Sequence, residues 1–202
     1  MDGEFLPTGL IVTAVRQKLN RSTVIEMAAV IADAEGIDAV SLQRIANDAG
    51  VKQPALYRHV TGIEELWKLL ALQARQILAT ELMKASSGLS RDAAVLAVAT
   101  AWREFVARHP GLYSATDRVP SVGDSEIEAS LGEVIRALDT ALNGYHLTTD
   151  QRAHCARSLR SALHGFCVLE KDNGHPEPYA LQASLDNLVQ LLCRGISALE
   201  SA

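Results

Sequence analysis

Apolar residues recur along most of the chain at intervals of three and four residues, the spacing that lines one face of an α-helix. Residues 41–49 illustrate the pattern with Leu42, Ile45, Ala46 and Ala49. No run of useful length alternates apolar and polar residues as a half-buried strand would. The pattern therefore predicts an all-α fold with about nine helices, over residues 22–36, 41–49, 53–60, 62–84, 90–108, 110–117, 125–143, 149–171 and 178–200.

The predicted helices fall into two groups that differ in length and composition. Those before residue 62 are short, whereas those after it are longer and rich in Ala and Leu. We therefore expect a loose leader and basic arm over residues 1–21, a domain of three short helices over 22–62, and a larger helical domain over 63–202.

Composition narrows the class of protein. The chain has 202 residues, 48% of them apolar, and a formal net charge of −5, which together exclude a disordered chain. No window approaches 18 uninterrupted apolar residues, and residues 1–15 lack the basic start and the cleavage site of a signal peptide. Three cysteines without a C-x-x-C pair fit a reducing compartment. We expect a cytoplasmic protein with no membrane partner.

Two short predicted helices joined by residues 49–52 carry the first functional signal. The joining sequence Ala-Gly-Val-Lys is a tight glycine turn of the helix-turn-helix type. On the second helix Leu56 and Val60 share one face, and this leaves the other faces to Gln53, Ala55, Tyr57, Arg58 and His59. Gln can read adenine, and Arg can read guanine or bind phosphate. An ordinary solvated helix end fits the same residues, so their chemistry alone leaves both interpretations open.

Residues 22–66 resemble the DNA-binding domain of the TetR (tetracycline-repressor) family of transcriptional regulators. The likeness covers many positions at fixed spacing, namely Ile25, Ala29, Gly36, Ser41-Leu42, Ile45-Ala46, Gly50-Val51, Ala55-Leu56-Tyr57-x-His59 and Glu65-Leu66. The run QPALYRHV at 53–60 is especially close to the recognition helix of that family. The resemblance implies that residues 53–59 enter the major groove of double-stranded operator DNA.

The resemblance also implies which side chains meet the DNA. Gln53, Ala55 and Tyr57 would lie near bases, while Tyr57 and His59 would also reach phosphates, and Arg58 could reach either. The preceding helix, at residues 41–49, would contribute DNA contacts from its first residues, Ser41, Leu42 and Gln43. Arg16, Lys18 and Arg21 would form a basic arm on the DNA backbone, although they also fit a solvated charge run.

Two positions depart from the family pattern. Ile63 stands where the family usually has a phosphate-binding Lys, and Lys52 replaces a frequent Ser or Thr cap but offers a cation to the DNA backbone. Residues 14–60 hold 6 basic and 5 acidic side chains, so this domain is barely cationic. We expect modest non-specific affinity for DNA.

Residues 63–202 carry no catalytic signature such as H-E-x-x-H or a Gly-rich phosphate loop. We expect no enzyme activity and no cofactor. His164 and Cys167 share a helix face at three-residue spacing, but packing accounts for them better than a metal site.

The last two predicted helices are candidates for a subunit interface. Residues 157–170 resemble the WHG-type C-terminal domain of one TetR subgroup through His164-Gly165 and Leu169-Glu170. That resemblance implies a homodimer in which these helices pair with their copies. The candidate interface residues, some of which must face the subunit's own core, are Leu159, Leu163, Gly165, Leu185, Leu188, Leu192 and Leu199.

Aromatic and polar residues of the larger domain are candidates for an effector pocket, although each of them fits a plain core position as well. They are Trp102, Phe105, Val106, His109, Tyr113, His164, Phe166 and Cys167. No cluster of Lys or Arg stands beside them in the sequence, so we expect a mostly apolar small-molecule effector.

The leading interpretation is a dimeric, ligand-responsive transcriptional regulator, a repressor that leaves its operator when the effector binds. Two alternatives remain open: a helical enzyme or metal-dependent catalyst whose site assembles in the second domain, and an interaction module that has lost DNA binding. Operator binding that falls with salt favours the first interpretation, whereas a bound metal favours the catalyst.

Overall fold

The computed structural model describes residues 19–200, and every regular element in that range is helical. The all-α prediction is confirmed. Eight α-helices follow one another along the chain: α1 (Arg21–Glu35), α2 (Leu42–Asp48), α3 (Ile63–Ser86), α4 (Arg91–Arg108), α5 (Pro110–Ser114), α6 (Ser125–Ala141), α7 (Thr149–Lys171) and α8 (Leu181–Leu199).

One of the nine predicted helices, at residues 53–60, is not an α-helix. Its backbone forms a 3₁₀ turn at Gln53–Ala55 and further turns as far as His59. The N–H of Ala55 donates to the Lys52 carbonyl and that of Leu56 to the Gln53 carbonyl, both at 2.9 Å, which is the spacing of 3₁₀ bonds. So short a segment, with Pro54 in its first turn, forms too few hydrogen bonds of the α-helical type to stabilise an α-helix.

The two ends of the molecule share one core. At the first end α1, α2 and residues 53–60 enclose the fully buried Val24, Ile45 and Leu56. At the other end α3 packs most extensively against α4 and α6, with α7 and α8 completing the bundle. The helix α3 begins at Ile63, the residue at which we expected the larger domain to start, and runs from one end into the other. Among the helices of residues 19–200, none is both long and apolar enough to cross a membrane.

The short helix α5 joins the larger domain to α1. Its Gly111 lies so close to α1 that an added Cβ would stand 1.7 Å from the carbonyl oxygen of Ala32, so no other residue fits without moving the backbone. Beside it the Asp33 carboxylate accepts from the N–H of Leu112 at 2.7 Å and pairs with Nδ1 of His109 at 2.9 Å. Motion of α5 is therefore tied to motion of α1.

Candidate nucleic-acid interface and interior cavity

The turn between α2 and residues 53–60 has helix-turn-helix geometry. Ser41 caps α2, since its Oγ accepts from the N–H of Arg44 at 3.1 Å. After α2 ends, Gly50 takes a positive φ of 65°, and the N–H of Val51 donates back to the Ala46 carbonyl at 2.9 Å. The chain is thereby directed across the end of α2, where residues 53–60 pack.

Residues 53–60, called the recognition segment below, bury one face and expose the other. Leu56 and Val60 are 0% and 1% exposed, which confirms the prediction that they face inward. Tyr57 is 51% exposed and lies beside Gln53, whose Nε2 donates to the Tyr57 hydroxyl at 3.2 Å. Arg58 is also exposed, while Gln53, Ala55 and His59 are half-buried at the edge of that face.

Cations near this surface differ in whether an acid already neutralises them. Arg44 binds Glu35 through two hydrogen bonds of 2.9 and 2.6 Å and Asp48 at 2.9 Å. Arg21 pairs with Glu65 at 2.6 Å. Among residues 19–200, no carboxylate lies within ion-pair distance of Lys52 or Arg58, and Arg58 Nε donates to Nε2 of His59 at 2.8 Å. Among the described cations near this surface, Lys52 and Arg58 are therefore the ones without an acidic partner.

The predicted DNA contacts outside residues 52–59 differ in their exposure to solvent. Gln43 is exposed and donates to Oδ1 of Asn47 at 2.8 Å. Leu42 is only 8% exposed, so its side chain belongs to the core and only its backbone can face DNA. The predicted arm residues Arg16 and Lys18 lie outside the described residues.

A cavity of about 80 Å³ that is partly open to solvent lies in the larger domain, between α3, α4, α5, α6 and α7. Three of the eight predicted effector residues line it: Trp102, Tyr113 and His164. They form a hydrogen-bonded chain in which Trp102 Nε1–H donates to the Tyr113 oxygen at 3.1 Å, and that oxygen lies 2.7 Å from Nδ1 of His164. Burial raises the pKa of Tyr113, so its hydroxyl keeps its proton.

Charged residues that the sequence did not single out complete the cavity wall. Arg75 reaches it from α3 and Arg160 from α7, with Asp117 between α5 and α6. The expectation that no basic cluster stands beside the effector residues is therefore wrong for the folded chain. The two arginines are distant in sequence, and packing of α3 against α6 and of α6 against α7 brings them together.

The remaining predicted effector residues do not line this cavity. Phe105 is fully buried behind Tyr113, and His109 lies at the contact with α1. Val106 and Cys167 border a separate depression beside the ion pair of Arg103 and Glu170. Phe166 packs against the ring of His175, with ring centres 5.2 Å apart.

The predicted interface leucines divide into two groups. Leu159, Leu163 and Leu185 are at most 1% exposed within one subunit, so they belong to its own core and have no area to offer a partner. Leu199 is 38% exposed, and Leu188, Leu192 and Gly165 are half-buried. The sequence did not single out Leu191, which is 67% exposed on α8.

Comparison with known proteins places this geometry in a family. Residues 24–69 match the family model described as bacterial regulatory proteins, tetR family, and residues 95–192 match that of a tetracyclin repressor-like C-terminal domain. The HTH-type transcriptional regulator Rv0681 of Mycobacterium tuberculosis is 36% identical over 154 residues, covering 76% of this chain and 71% of that protein. The chain belongs to the TetR family of transcriptional regulators.

One further relative and one solved structure extend the comparison, and the solved structure bears on the fold alone. The HTH-type transcriptional repressor DrrR1 of Streptomyces coeruleorubidus is 31% identical over 110 residues, 54% of this chain and 40% of that protein. A crystal structure of a single-residue variant of TetR from Acinetobacter baumannii, in complex with minocycline, superposes with a TM-score of 0.68 at 18% identity, over 92% of this chain and all of that one. The relatives are transcriptional regulators, so the alternative of a helical enzyme is not supported.

Proposed function

We propose that this TetR-family regulator is a homodimeric repressor that binds operator DNA through the recognition segment. The observation that carries the proposal is the exposed face at residues 52–58, where Lys52 and Arg58 have no acidic partner among the described residues while Arg21 and Arg44 are neutralised. Because phosphate neutralisation dominates DNA affinity, unpaired cations beside Gln53 and the exposed Tyr57 suit a groove-reading surface. Such a protein acts where the DNA is, in the cytoplasm.

The repressor role is inferred from the relatives. DrrR1 is named a transcriptional repressor, and the A. baumannii TetR structure holds the small molecule minocycline. We infer the same two properties for this chain: occupancy of an operator blocks transcription, and an effector in the larger domain releases the DNA.

The contacts of α5 supply a route from the cavity to the DNA-binding domain. Tyr113 forms part of the cavity wall, while the adjacent Leu112 is hydrogen-bonded to Asp33 of α1. Asp117 also lines the cavity, and the next residue, Arg118, pairs with Asp38 just beyond the end of α1. A ligand that shifts this stretch therefore moves α1 and changes the spacing of the two recognition segments of a dimer.

The dimer surface that we propose is the exposed side of α7 and α8. Leu191 and Leu199 present apolar area there, and Leu188 and Leu192 flank them at half-buried positions. A Cβ at Gly165 of α7 would meet nothing within 4 Å inside the subunit, which leaves room for a partner helix to approach closely. Pairing these two helices with their copies gives the four-helix interface.

Selection of genomic fragments on the purified protein tests the proposal. We expect enrichment of a two-fold symmetric site whose halves lie about one helical turn, or a small multiple of it, apart. Affinity for that site should fall linearly with salt on a double-logarithmic plot, because bound phosphates release counterions. Fragments without a shared motif, bound no better than random DNA, would contradict operator recognition.

A further inference from the structure

The arginine Arg75 is held inside the larger domain without an acidic partner. It is 4% exposed, and no carboxylate of residues 19–200 lies within ion-pair distance of it. Of its five N–H groups, one donates to the Ile127 carbonyl at 3.4 Å and one to the Thr116 carbonyl at 3.3 Å. Both distances are at the long end for hydrogen bonds, so the buried charge is poorly satisfied.

A second cation raises the free-energy cost of burying the charge of Arg75. Arg160 lines the same cavity from α7 and has no carboxylate partner in the described part of the chain. Burial first, and then the charge of Arg160, lower the pKa of the Arg75 guanidinium. Both effects disfavour a bare cation, and both are relieved when an anion lies between the two guanidinium groups.

The remaining wall of the cavity indicates the size and charge of that anion. Asp117 also lines the cavity, so the charges of Arg75, Arg160 and Asp117 sum to +1, which a monoanion balances and a dianion exceeds. Apolar side chains close another part of the wall, namely Leu78, Leu131 and Val134. A volume of about 80 Å³ exceeds one water molecule but is far below the roughly 300 Å³ at which drug-sized pockets begin.

We propose that this cavity binds a small monocarboxylate, which acts as the effector of the regulator. The planar carboxylate lies between Arg75 and Arg160, where an arginine fork matches its two oxygens. The hydroxyl of Tyr113 and the ring of His164 stand beside the head group, and the short hydrocarbon part faces Leu78, Leu131 and Val134. This inference rests on the proposed function, because the cavity is also the proposed effector site.

Fluorescence of Trp102 offers a direct test in the full chain. The sequence has two tryptophans, so Trp67→Phe leaves Trp102, in the cavity wall, as the sole reporter. Sodium butyrate is titrated to about 10 mM, because a ligand of six non-hydrogen atoms can reach a dissociation constant below that concentration. Butyramide and inorganic phosphate are the comparison ligands, and the ionic strength is kept constant. We expect a saturable change with butyrate, and at least about tenfold weaker responses to the uncharged amide and to phosphate.

Two arginines of α7 provide a matched pair of variants. Arg160→Gln removes a cavity cation, whereas Arg157→Gln removes an exposed cation that does not line the cavity. We expect butyrate to bind about tenfold more weakly to the first variant and unchanged to the second. Arg75→Gln, if it folds, should weaken binding in the same way. Calorimetry of the same titrations provides a readout that does not depend on fluorescence.

Different results would contradict the carboxylate proposal, the effector role and the proposed function. Equal binding of butyramide, stronger binding of phosphate, equal effects of both α7 variants, or no saturable binding of butyrate overturns the carboxylate proposal. Binding of butyrate that leaves operator affinity unchanged overturns its role as effector. Failure of the unliganded protein to bind selected operator DNA contradicts the proposed function instead, and does so without any titration of carboxylate.

Discussion

The carboxylate of Asp33 in α1 accepts a hydrogen bond of 2.7 Å from the backbone N–H of Leu112 in α5. Through its other oxygen it pairs with His109 at 2.9 Å, so one side chain of the DNA-binding domain holds both ends of the first turn of α5. The adjacent Tyr113 lines the cavity of the larger domain. Asp33 is therefore the polar link between the cavity wall and α1.

Removing that link should destabilise the protein measurably. Asp33→Ala leaves the N–H of Leu112 without its partner, and we expect the free energy of unfolding in urea to fall by about 1–3 kcal/mol. Asp38→Ala is the control, since Asp38 also pairs across the domains, with Arg118, but its side chain is 86% exposed. An exposed pair contributes less than about 1 kcal/mol. Equal losses in the two variants would show that Asp33 has no special role.

Two glycine substitutions should change stability in opposite directions. In Gly111→Ala the new Cβ would meet the Ala32 carbonyl oxygen at 1.7 Å, so α5 must separate from α1, and we expect a loss of at least about 2 kcal/mol. In Gly132→Ala, on α6, the Cβ meets nothing within 4 Å. We expect a gain of about 0.5–1 kcal/mol there, because alanine is the better helix former.

Thermal and urea unfolding of both glycine variants checks this pair. The Gly111→Ala variant should also lose operator affinity, since α1 packs against α2, and α2 supports the recognition segment. Retention of full stability by Gly111→Ala would mean that α5 does not contact α1 closely at this glycine.

The helices and the helix-turn-helix domain could be predicted from the sequence because both depend on local signals. Apolar spacing of three and four residues marks each helix, and a short motif of fixed spacing marks residues 41–60. The α-helical form expected for 53–60 was wrong, since periodicity does not distinguish an α-helix from a 3₁₀ turn in so short a segment. The burial of Leu159 and Leu163 likewise depends on which face of α7 packs inward.

The charged cavity could not be predicted in the same way, because its residues come from five α-helices and from the segment between α5 and α6, and they meet only in the folded chain. One signal for it does exist in the sequence. Arg75 lies on the apolar stripe of α3, four residues after Ala71 and three before Leu78, where a charge is costly. A cation in such a register indicates either an acidic partner or a ligand site.

The most exposed leucine of α8 should control the oligomeric state. Leu191 is 67% exposed in one subunit, and Leu191→Glu places a charge in the middle of the proposed interface, so we expect monomers. Leu96→Glu is the matched control, because Leu96 is 43% exposed on α4 and outside that surface. Size-exclusion chromatography with light scattering measures both. A monomeric unmodified protein, or a Leu191→Glu variant that remains dimeric, would contradict the assignment.

Acid should weaken the start of α3 through Glu65. The Thr61 backbone N–H and hydroxyl donate to this carboxylate at 2.6 and 2.8 Å and hold its pKa below its usual range, with a smaller contribution from Arg21. A carboxylate whose folded pKa is depressed stabilises the protein above its unfolded pKa and loses that effect as pH falls through the folded pKa.

Glu65→Gln tests this dependence. We expect a lower melting temperature than that of the unmodified protein at pH 7, and a difference that shrinks as pH falls below the usual range of a glutamate. Glu64→Gln changes an exposed neighbour and should leave the melting temperature close to its original value across the range. A difference that stays constant down to acid pH would assign the Glu65 effect to packing and not to charge.

A base contact and a phosphate contact on the recognition segment should fail differently. Gln53 stands beside Tyr57 at the edge of the exposed face, so Gln53→Ala should weaken operator binding by about 1–3 kcal/mol and relax the preference at one base position.

Lys52 is an exposed cation without an acidic partner in the described range, so Lys52→Ala should weaken binding to operator and scrambled DNA alike. It should also reduce the salt slope by about one unit. Lys84→Ala, which removes an exposed cation from the far end of α3, is the control. Titrations of the three variants on both DNAs at several salt concentrations separate these roles. Equal effects of Gln53→Ala and Lys52→Ala, with one salt slope, would contradict the assignment within the segment, and no effect of either would show that residues 53–60 do not contact DNA.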